Sequence, residues 1–418
     1  VAQIRNPYLD AKFRQQYGDV GYYDQKAAIM DQIEGIISDP EVEGTGIKAA
    51  LTTLSQALAD FSQSPYQETN ANIVMNAFKG VTQVLNEYDA NLKTLMEQTK
   101  NDLSVAVEDI NTKLDQLSEL NSSIAHEIFS NNDYDGVNYG PNDLLDQRNV
   151  ILDDLSRYGD VQVTDLEDGK IQVKINGKVV VDASGASYTN DKLNIGSDGV
   201  TLTWNSNNQN ANLGAGAIRG FTDMLTGADP INAGIPYYQN KMDNFAQTLA
   251  DVFNKKIHAD DPDFPDKYKF LLQGGVDGKV TAGNISISDQ WADDVSYIIR
   301  KQNPDGELDN QDILDMKAAF EQDFNFGGEY TGTFSEFITS VTNTLGSGIK
   351  TNSARMSASL AIAESADSER MGVSGVSLNE EGISMMTYNK AYQALGRLMT
   401  TMDEQLDMII NKMGIVGR

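Results

Sequence analysis

The chain has 418 residues, with 32 basic and 61 acidic side chains and a formal net charge of −29. At about 150 residues per domain, this length allows two or three domains with substantial cores. A surface this acidic repels phosphate groups and anionic lipid headgroups, which argues against binding to nucleic acids or membrane surfaces.

Cysteine is absent, and histidine occurs only at His126 and His258. This composition excludes disulfides, thiolate nucleophiles, and zinc sites built from cysteine or from three histidines. We find no apolar run of about 18 residues and no conventional signal peptide in the sequence. Because the sequence begins at Val1 rather than at methionine, we expect that residues are missing from that end.

The first 160 residues have helical periodicity. Apolar residues recur at steps of three and four positions from Leu9 to Ile37 and from Ile47 to Phe61, as on one face of a helix. In the first of these runs, the expected packing face carries Leu9, Phe13, Tyr17, Val20, Ala27, Met30 and Ile37.

A third helical run extends from about Glu68 to Ser130, with no proline and a single glycine, Gly80. A helix of about 60 residues would be about 90 Å long, several times the thickness of a compact domain. It must therefore lie along partner helices in an elongated bundle. We predict an N-terminal long-helix rod over residues 1–160.

Residues 161–332 have a different pattern. Ile171, Val173 and Ile175 alternate with polar residues, and the pair Asn176-Gly177 precedes a second alternating run. This arrangement predicts a β-hairpin, because both residues of such a turn need positive φ. Turn-forming residues and further helical stretches follow, so we assign 161–332 to a mixed β-rich outer region inserted between helical flanks.

Helical periodicity returns over residues 333–373, which we assign to the return helix of the rod, broken at Gly372 and Gly375. Ser377 and Glu380 have the spacing of a capping box, which predicts the start of a terminal assembly helix within 374–418. The whole pattern predicts an α+β fold, in which both ends of the chain form an elongated bundle of long helices around the inserted middle region.

The terminal helix carries an apolar stripe with regular steps of three and four residues. We call it the terminal stripe: Met385, Tyr388, Tyr392, Leu395, Met399, Met402, Leu406, Ile409 and Met413. A single apolar stripe usually packs on the core of its own chain, but one this regular favours a partner helix. Its methionines are typical of surfaces that adapt to several partners.

Several segments match a known family. The segments Ser374–Glu381, Tyr388–Gln393 and Met402–Ile410 resemble the C-terminal signature shared by rod, hook and hook-associated proteins. The segment Pro141–Arg148, which follows a long helix containing Asn111 and Asn121, resembles a feature of the flagellar hook-associated protein 1 family, the hook–filament junction proteins. The resemblance covers nearly the whole chain, least well in the middle region.

This resemblance implies a structural component of the bacterial flagellum, which joins hook to filament and templates filament assembly. The implied partners are further copies in a ring, hook protein, hook-associated protein 3, and an export chaperone that holds the C-terminal helix. The implied location is extracellular, after type III export, with no nucleic acid or membrane partner. The family's opening helix, expected to pair with the terminal helix, is not recognisable in this sequence.

Motifs of catalytic or metal sites are incomplete. His126-Glu127 begins like a zinc-protease helix, but Ser130 stands where the second histidine is required. The segment from Asn131 to Gly136 resembles half of a calcium loop, but its twelfth position is Asn142 instead of glutamate. The sequence therefore predicts no catalytic, cofactor or metal residues and no enzymatic activity.

Asp146 and Arg148 have two possible roles. The arginine fork can hold a carboxylate through two bonds, either within the chain as an internal clasp between helices or across a subunit contact. We favour the clasp, because a partly buried arginine needs a local partner. Two alternative functions also remain: another flagellar axial protein of the flagellin, rod or hook type, and a secreted surface adhesin that binds through the middle region.

Overall fold

The computed structural model describes residues 5–37, 45–131, 141–183, 189–211, 213–257, 270–275, 278–299, 310–375 and 378–412. Their α-helices are α1 (Pro7–Ile37), α2 (Gly46–Gln63), α3 (Glu68–Asn131), α4 (Asn142–Ser156), α5 (Gly216–Thr226), α6 (Ile235–Asn254), α7 (Asp289–Asp293), α8 (Gln311–Ala318), α9 (Phe334–Ser374) and α10 (Leu378–Asp407). Their strands are β1 (Val161–Asp165), β2 (Ile171–Ile175), β3 (Lys178–Asp182), β4 (Thr189–Asn190), β5 (Leu193–Ile195), β6 (Leu202–Trp204), β7 (Leu272–Gln273), β8 (Ser286–Ile287), β9 (Phe324–Phe326) and β10 (Tyr330–Gly332).

The long helix predicted from the sequence is present as α3, a single helix of 64 residues. At 1.5 Å per residue it is about 96 Å long. Its apolar stripe, from Val74 to Ile124, is buried against the elements that surround it. Where the stripe skips a position between Leu95 and Leu103, Thr99 occupies the packing face, and its hydroxyl donates to the Leu95 carbonyl at 2.8 Å.

The two ends of the chain meet in an antiparallel pair formed by α1 and α9. The guanidinium of Arg370 lies beside Asp10, and the side-chain amide of Asn352 donates to the Tyr23 carbonyl at 2.7 Å. The predicted α+β class, with helices from both ends around a mixed middle region, is therefore confirmed.

The packing face of α1 agrees with the predicted one only in part. Leu9, Met30 and Ile37 are buried as predicted. Phe13, Tyr17 and Val20 are only half-buried, whereas Asp10 and Arg14 are buried. Ion pairs and close backbone contacts, rather than an apolar stripe, therefore hold much of this helix.

Gly18 and Gly21 also lie on the buried face of α1. A Cβ at Gly21 would overlap the backbone carbonyl of Arg157, just beyond α4, and one at Gly18 would lie 3.0 Å from the Ser156 carbonyl oxygen. The helix therefore packs directly on the backbone at the end of α4, where only glycine leaves enough space.

The middle region contains several small antiparallel sheets. The largest among the described residues has the strand order β1-β2-β3-β4. The predicted hairpin is confirmed: β2 and β3 pair, and Asn176 and Gly177 have φ values of 48° and 81°. Helices α5 and α6 follow β6 and precede β7 in the chain, so the middle region is mixed rather than purely β.

An aromatic cluster joins the middle region to the return helix. Phe245 of α6 lies 5.5 Å from Phe334 and 6.0 Å from Phe337, measured between ring centroids, and Phe326 of β9 stacks on Phe337 at 4.3 Å. All four rings are nearly inaccessible to solvent. The first turn of α9 is therefore anchored in the core of the middle region.

The predicted break at Gly372 is wrong, because α9 continues to Ser374 and Gly375 ends it. The Gly375 amide donates to the Met371 carbonyl at 2.6 Å, which closes the last turn. A single exposed glycine disfavours a helix by only about 1 kcal/mol, too little to stop one of 41 residues that packs along α1.

Two glycines of α1 offer a matched test of the close contact with α4. We expect Gly21→Ala to lower the free energy of unfolding by about 1–3 kcal/mol, because its methyl group overlaps the Arg157 carbonyl. The control is Gly35→Ala in the same helix. No atom lies near its Cβ position, so it should stabilise the protein by up to about 1 kcal/mol. Urea denaturation measures both; equal effects of the two substitutions would refute the contact.

Candidate functional site

The terminal helix α10 is exposed along its whole length. None of its residues is buried, and it continues into a π-helical segment, Met408–Lys412. The eight members of the terminal stripe from Met385 to Ile409 have exposed fractions between 50% and 79%. The ninth, Met413, lies outside the described residues.

The exposed apolar surface is wider than the terminal stripe. Ile383, Met386, Leu398, Met408 and Ile410 are each more than half exposed on the same segment. A soluble monomer rarely exposes a contiguous apolar surface of this length, and such a surface marks a site of protein interaction. Steps of three and four residues place the stripe on one helix face, which suits a second helix lying alongside.

The capping prediction for this helix falls partly outside the structure. Ser377 lies outside the described residues, while Glu380 lies in the first turn of α10. A complete capping box is present instead at the start of α9, where Thr333 Oγ1 accepts from the Glu336 amide and Glu336 Oε2 accepts from the Thr333 amide. The sequence Thr-Phe-Ser-Glu carries the capping-box signal for this helix start, which was not predicted.

Arg148 joins two helices of the rod to the start of the middle region. It is buried on α4, and its Nη1 donates to the Gly169 carbonyl at 2.6 Å and to Oδ1 of Asn121 on α3 at 3.3 Å. The partners are thus a carbonyl and an amide oxygen within the chain, where the sequence argument expected a carboxylate. Asp146 lies on the exposed side of the same helix, so the structure does not bring the two residues together.

The surroundings of Arg148 disfavour its charge. Burial lowers the pKa of this guanidinium to about 10, and the nearby Arg14 adds to the effect, whereas Asp165 opposes it. Its Nε has no hydrogen-bond partner among the described residues. The bonds to Gly169 and Asn121 are therefore the main compensation for removing this charge from water.

Asn121 and Asn111 of α3 hold strands of the middle region through their side-chain amides. Asn121 donates to the Ile171 carbonyl at 2.9 Å and accepts from the Ile171 amide at 3.3 Å. Asn111 forms the same pair of bonds with Leu193, both at 2.9 Å. Each amide side chain thus makes the two backbone hydrogen bonds that a neighbouring strand would otherwise make, because it presents one donor and one acceptor to a single residue.

These roles were not predicted from the sequence, although both asparagines lie in a segment that resembles the family. The sequence does carry a signal for this role, since Asn121 lies on the apolar face of a helical run, between Leu117 and Ile124. A buried amide needs hydrogen-bond partners, and an edge strand can supply them.

The described part of the chain contains no group of three or more His, Asp or Glu side chains positioned to hold a metal ion. Within the same residues, every helix is too short or too polar to cross a membrane.

Comparison with known families gives two matches. The model of the helical domain of the flagellar hook-associated protein FlgK matches residues 30–264, which include α2 to α6 and the contacts of Asn111, Asn121 and Arg148. The model of the C-terminal part of the flagellar basal body rod FlgEFG proteins matches residues 368–412, which include α10.

Two individual flagellar proteins also match this chain. The flagellar hook-associated protein 1 of Bacillus subtilis (strain 168) is 27% identical over 459 aligned positions, covering 100% of this chain and 86% of that protein. A solved structure, described as the flagellar hook junction protein FlgK from Burkholderia pseudomallei, is 18% identical with a TM-score of 0.47. That match covers 59% of this chain and 43% of the other.

The contacts of Asn121 can be tested by removing its amide. We expect Asn121→Ala to lower the free energy of unfolding by about 2–4 kcal/mol, because it deprives Arg148 and both backbone groups of Ile171 of a buried partner. The matched control is Ser122→Ala at the next, exposed position, which should change it by less than about 0.5 kcal/mol. Denaturant unfolding of both variants measures the difference, and a similar small effect for both would contradict the assigned role.

Proposed function

The chain belongs to the family of the flagellar hook-associated protein FlgK, and from this membership we propose that it joins the hook to the filament and templates filament assembly. It is a structural component of the flagellum, like the relatives that it matches. The observation that carries the proposal is the exposed terminal stripe on α10.

The terminal stripe supports an assembly role for physical reasons. A helix whose apolar side chains are at least half exposed gains free energy when a partner covers them, at about 25 cal/mol per Å² of apolar surface. The match of the rod-protein model to residues 368–412 indicates that this segment is shared with other axial components of flagella. We therefore infer that α10 packs among helices in the axial part of the assembly.

The partners that fit this role are other flagellar proteins. We propose neighbouring copies in a ring, hook protein on one side, and hook-associated protein 3 on the other. Before assembly, the same stripe would bind an export chaperone, because its methionine side chains can adapt to a second partner. Secretion to the extracellular flagellum follows from this proposal.

The alternative functions differ in support. Another axial protein would share the segment 368–412, but the match of the FlgK helical domain over residues 30–264 favours the junction. No observation on the described residues favours an adhesin. The proposed role needs no catalytic residue, cofactor or metal.

A deletion strain tests the proposed junction. We expect cells that lack this protein to have hooks without filaments and to release flagellin into the medium, because the filament has no platform on which to assemble. Electron microscopy and an assay of flagellin in the medium measure this result. Normal filaments on the deletion strain would contradict the proposal.

The role of the terminal stripe in assembly can be tested by introducing two aspartates into it. We expect Leu395→Asp combined with Leu406→Asp to prevent filament assembly while leaving the melting temperature of the purified protein unchanged, because both side chains are at least half exposed. The control places the same charges on other exposed positions of α10, as Gln393→Asp with Thr400→Asp. A large fall in melting temperature in the first variant would identify the stripe as ordinary core.

A further inference from the structure

A groove bordered by basic side chains lies between α1, α9 and the loop that joins α5 to α6. Its lining includes Lys26 and Tyr22 of α1, and Ser347 and Arg355 of α9. Lys350, one turn after Ser347, is exposed on the same helix. Among the described residues, none of these three cations has a carboxylate within salt-bridge distance, and Lys26 Nζ lies 3.5 Å from the Tyr22 hydroxyl. We call this surface the α9 groove.

The charges around Lys26 favour an additional carboxylate. Asp223 is the nearest acidic group, but it accepts from the Tyr22 hydroxyl at 2.8 Å and lies 3.5 Å from Nε of Arg219. Burial lowers the pKa of Lys26, and Arg219 and Arg355 add to this effect, whereas Asp223 opposes it. A carboxylate from another molecule would relieve the repulsion among the three cations.

A braced loop holds an apolar side chain beside these cations. Ile231 also lines the α9 groove, and it is 90% exposed. Asp229 Oδ1 accepts from the amides of Ile231 and Asn232, both at 2.9 Å, and the Gly234 amide donates to the Gly227 carbonyl at 3.1 Å. The loop is thus closed at its base and braced at its tip, so a partner can cover Ile231 without first ordering the loop.

The part of α9 that borders the groove is free of negative charge. Residues 337–363 contain no Asp or Glu, and this is the longest stretch of the sequence without an acidic residue. The chain as a whole has 61 acidic and 32 basic side chains. A surface without acids in so acidic a protein is complementary to the rest of the same protein's surface, which favours a second copy as the partner.

The exposed face of α3 has the complementary character. Three glutamates and one valine on this helix are exposed and lie on one side of it, because their spacings are close to whole numbers of turns. Val105, between the glutamates, is 66% exposed. The exposed positions 91, 94, 98, 101, 112 and 116 of the same face are all uncharged. We call the four residues the α3 stripe: Glu87, Val105, Glu108 and Glu119.

We propose that the α9 groove of one copy binds the α3 stripe of a neighbouring copy, with Ile231 against Val105 and the cations of the groove facing the glutamates. Helix α9 packs on α1, and α1 packs on α3, so the two surfaces belong to different layers of the rod. The contact is therefore head-to-tail: two joined copies still have one free groove and one free stripe, and further copies can add until a ring closes. This inference rests on the function proposed above, to which it adds the surfaces that join the copies.

Cross-linking between two introduced cysteines tests the proposal. The chain has no cysteine, so Ile231→Cys and Val105→Cys each provide one thiol at an exposed position. The two purified variants are mixed and treated with a flexible bismaleimide over a range of protein concentrations. We expect a cross-linked dimer in the mixture and none in either variant alone, because a head-to-tail contact does not bring the same residue of two copies together. A chain with both substitutions should give a ladder of species beyond the dimer.

Charge reversal provides the second measurement. In the Ile231→Cys chain, Lys350→Glu with Arg355→Glu should abolish the cross-linked dimer, because like charges then face each other. Adding Glu108→Lys with Glu119→Lys to the Val105→Cys chain should restore it.

The matched control for the groove charges is Lys255→Glu with Lys317→Glu. It makes the same change of charge at exposed positions of α8 and of the end of α6, and it should leave the dimer unchanged. The melting temperature of each variant shows that it is folded.

Three results would overturn the proposal. The first is a mixture without dimer at any concentration, and the second is a dimer formed by one single-cysteine variant alone. The third is a groove reversal that has no more effect than its control. On isolated flagella, cross-linking of Ile231→Cys to a different flagellar protein would also reject it, because the groove would then have another partner.

Filament counts on complemented deletion cells are scored separately from the cross-links. If the parent protein restores no filaments, the junction role fails whatever the cross-links show. If it restores filaments but the cross-links are absent, the junction role stands and the contact between the α9 groove and the α3 stripe is rejected.

Discussion

Helix α3 supplies hydrogen-bond partners that the short strands of the middle region would otherwise lack. The strands β5 to β8 form pairs only, so each leaves backbone groups without a second neighbouring strand. Asn86 donates to the carbonyls of Ala282 and Ile285, and Asn111 and Asn121 hold Leu193 and Ile171. Because buried backbone groups must be paired, the small sheets depend on this helix for their position.

Features that are encoded locally could be predicted from the sequence. The length of α3 follows from apolar spacing without proline, and the hairpin at Asn176 follows from the φ values that its turn requires. The partners of Arg148 and the close contact at Gly21 could not be predicted, because they depend on distant residues such as Gly169 and on the proximity of backbone atoms. The terminal stripe was visible in the sequence because its spacing is regular, but the spacing alone does not say whether the core of the chain covers it.

The buried basic side chains of this acidic protein lie at contacts between its helices and strands. With 61 acidic and 32 basic side chains, the chain repels itself, which opposes compact folding. Buried basic residues are placed where elements meet: Arg14 between α1 and α4, Arg148 between α3 and α4, and Lys241 of α6 against Glu329 beside β10. Cations at these positions attract neighbouring carboxylates and carbonyls, and they offset part of the repulsion at the contacts that hold the fold together.

The antiparallel pairing of α1 and α9 has a consequence for the order of folding. Asp10 and Arg370, which meet in the rod, are 360 residues apart in the chain. Helix α3 with α2 can form early, because their contacts are close in sequence, whereas the pairing of α1 with α9 has to wait for much later residues of the chain. The α1–α9 pair can therefore form only when the residues of α9, late in the chain, are available. Its formation is a late step of folding.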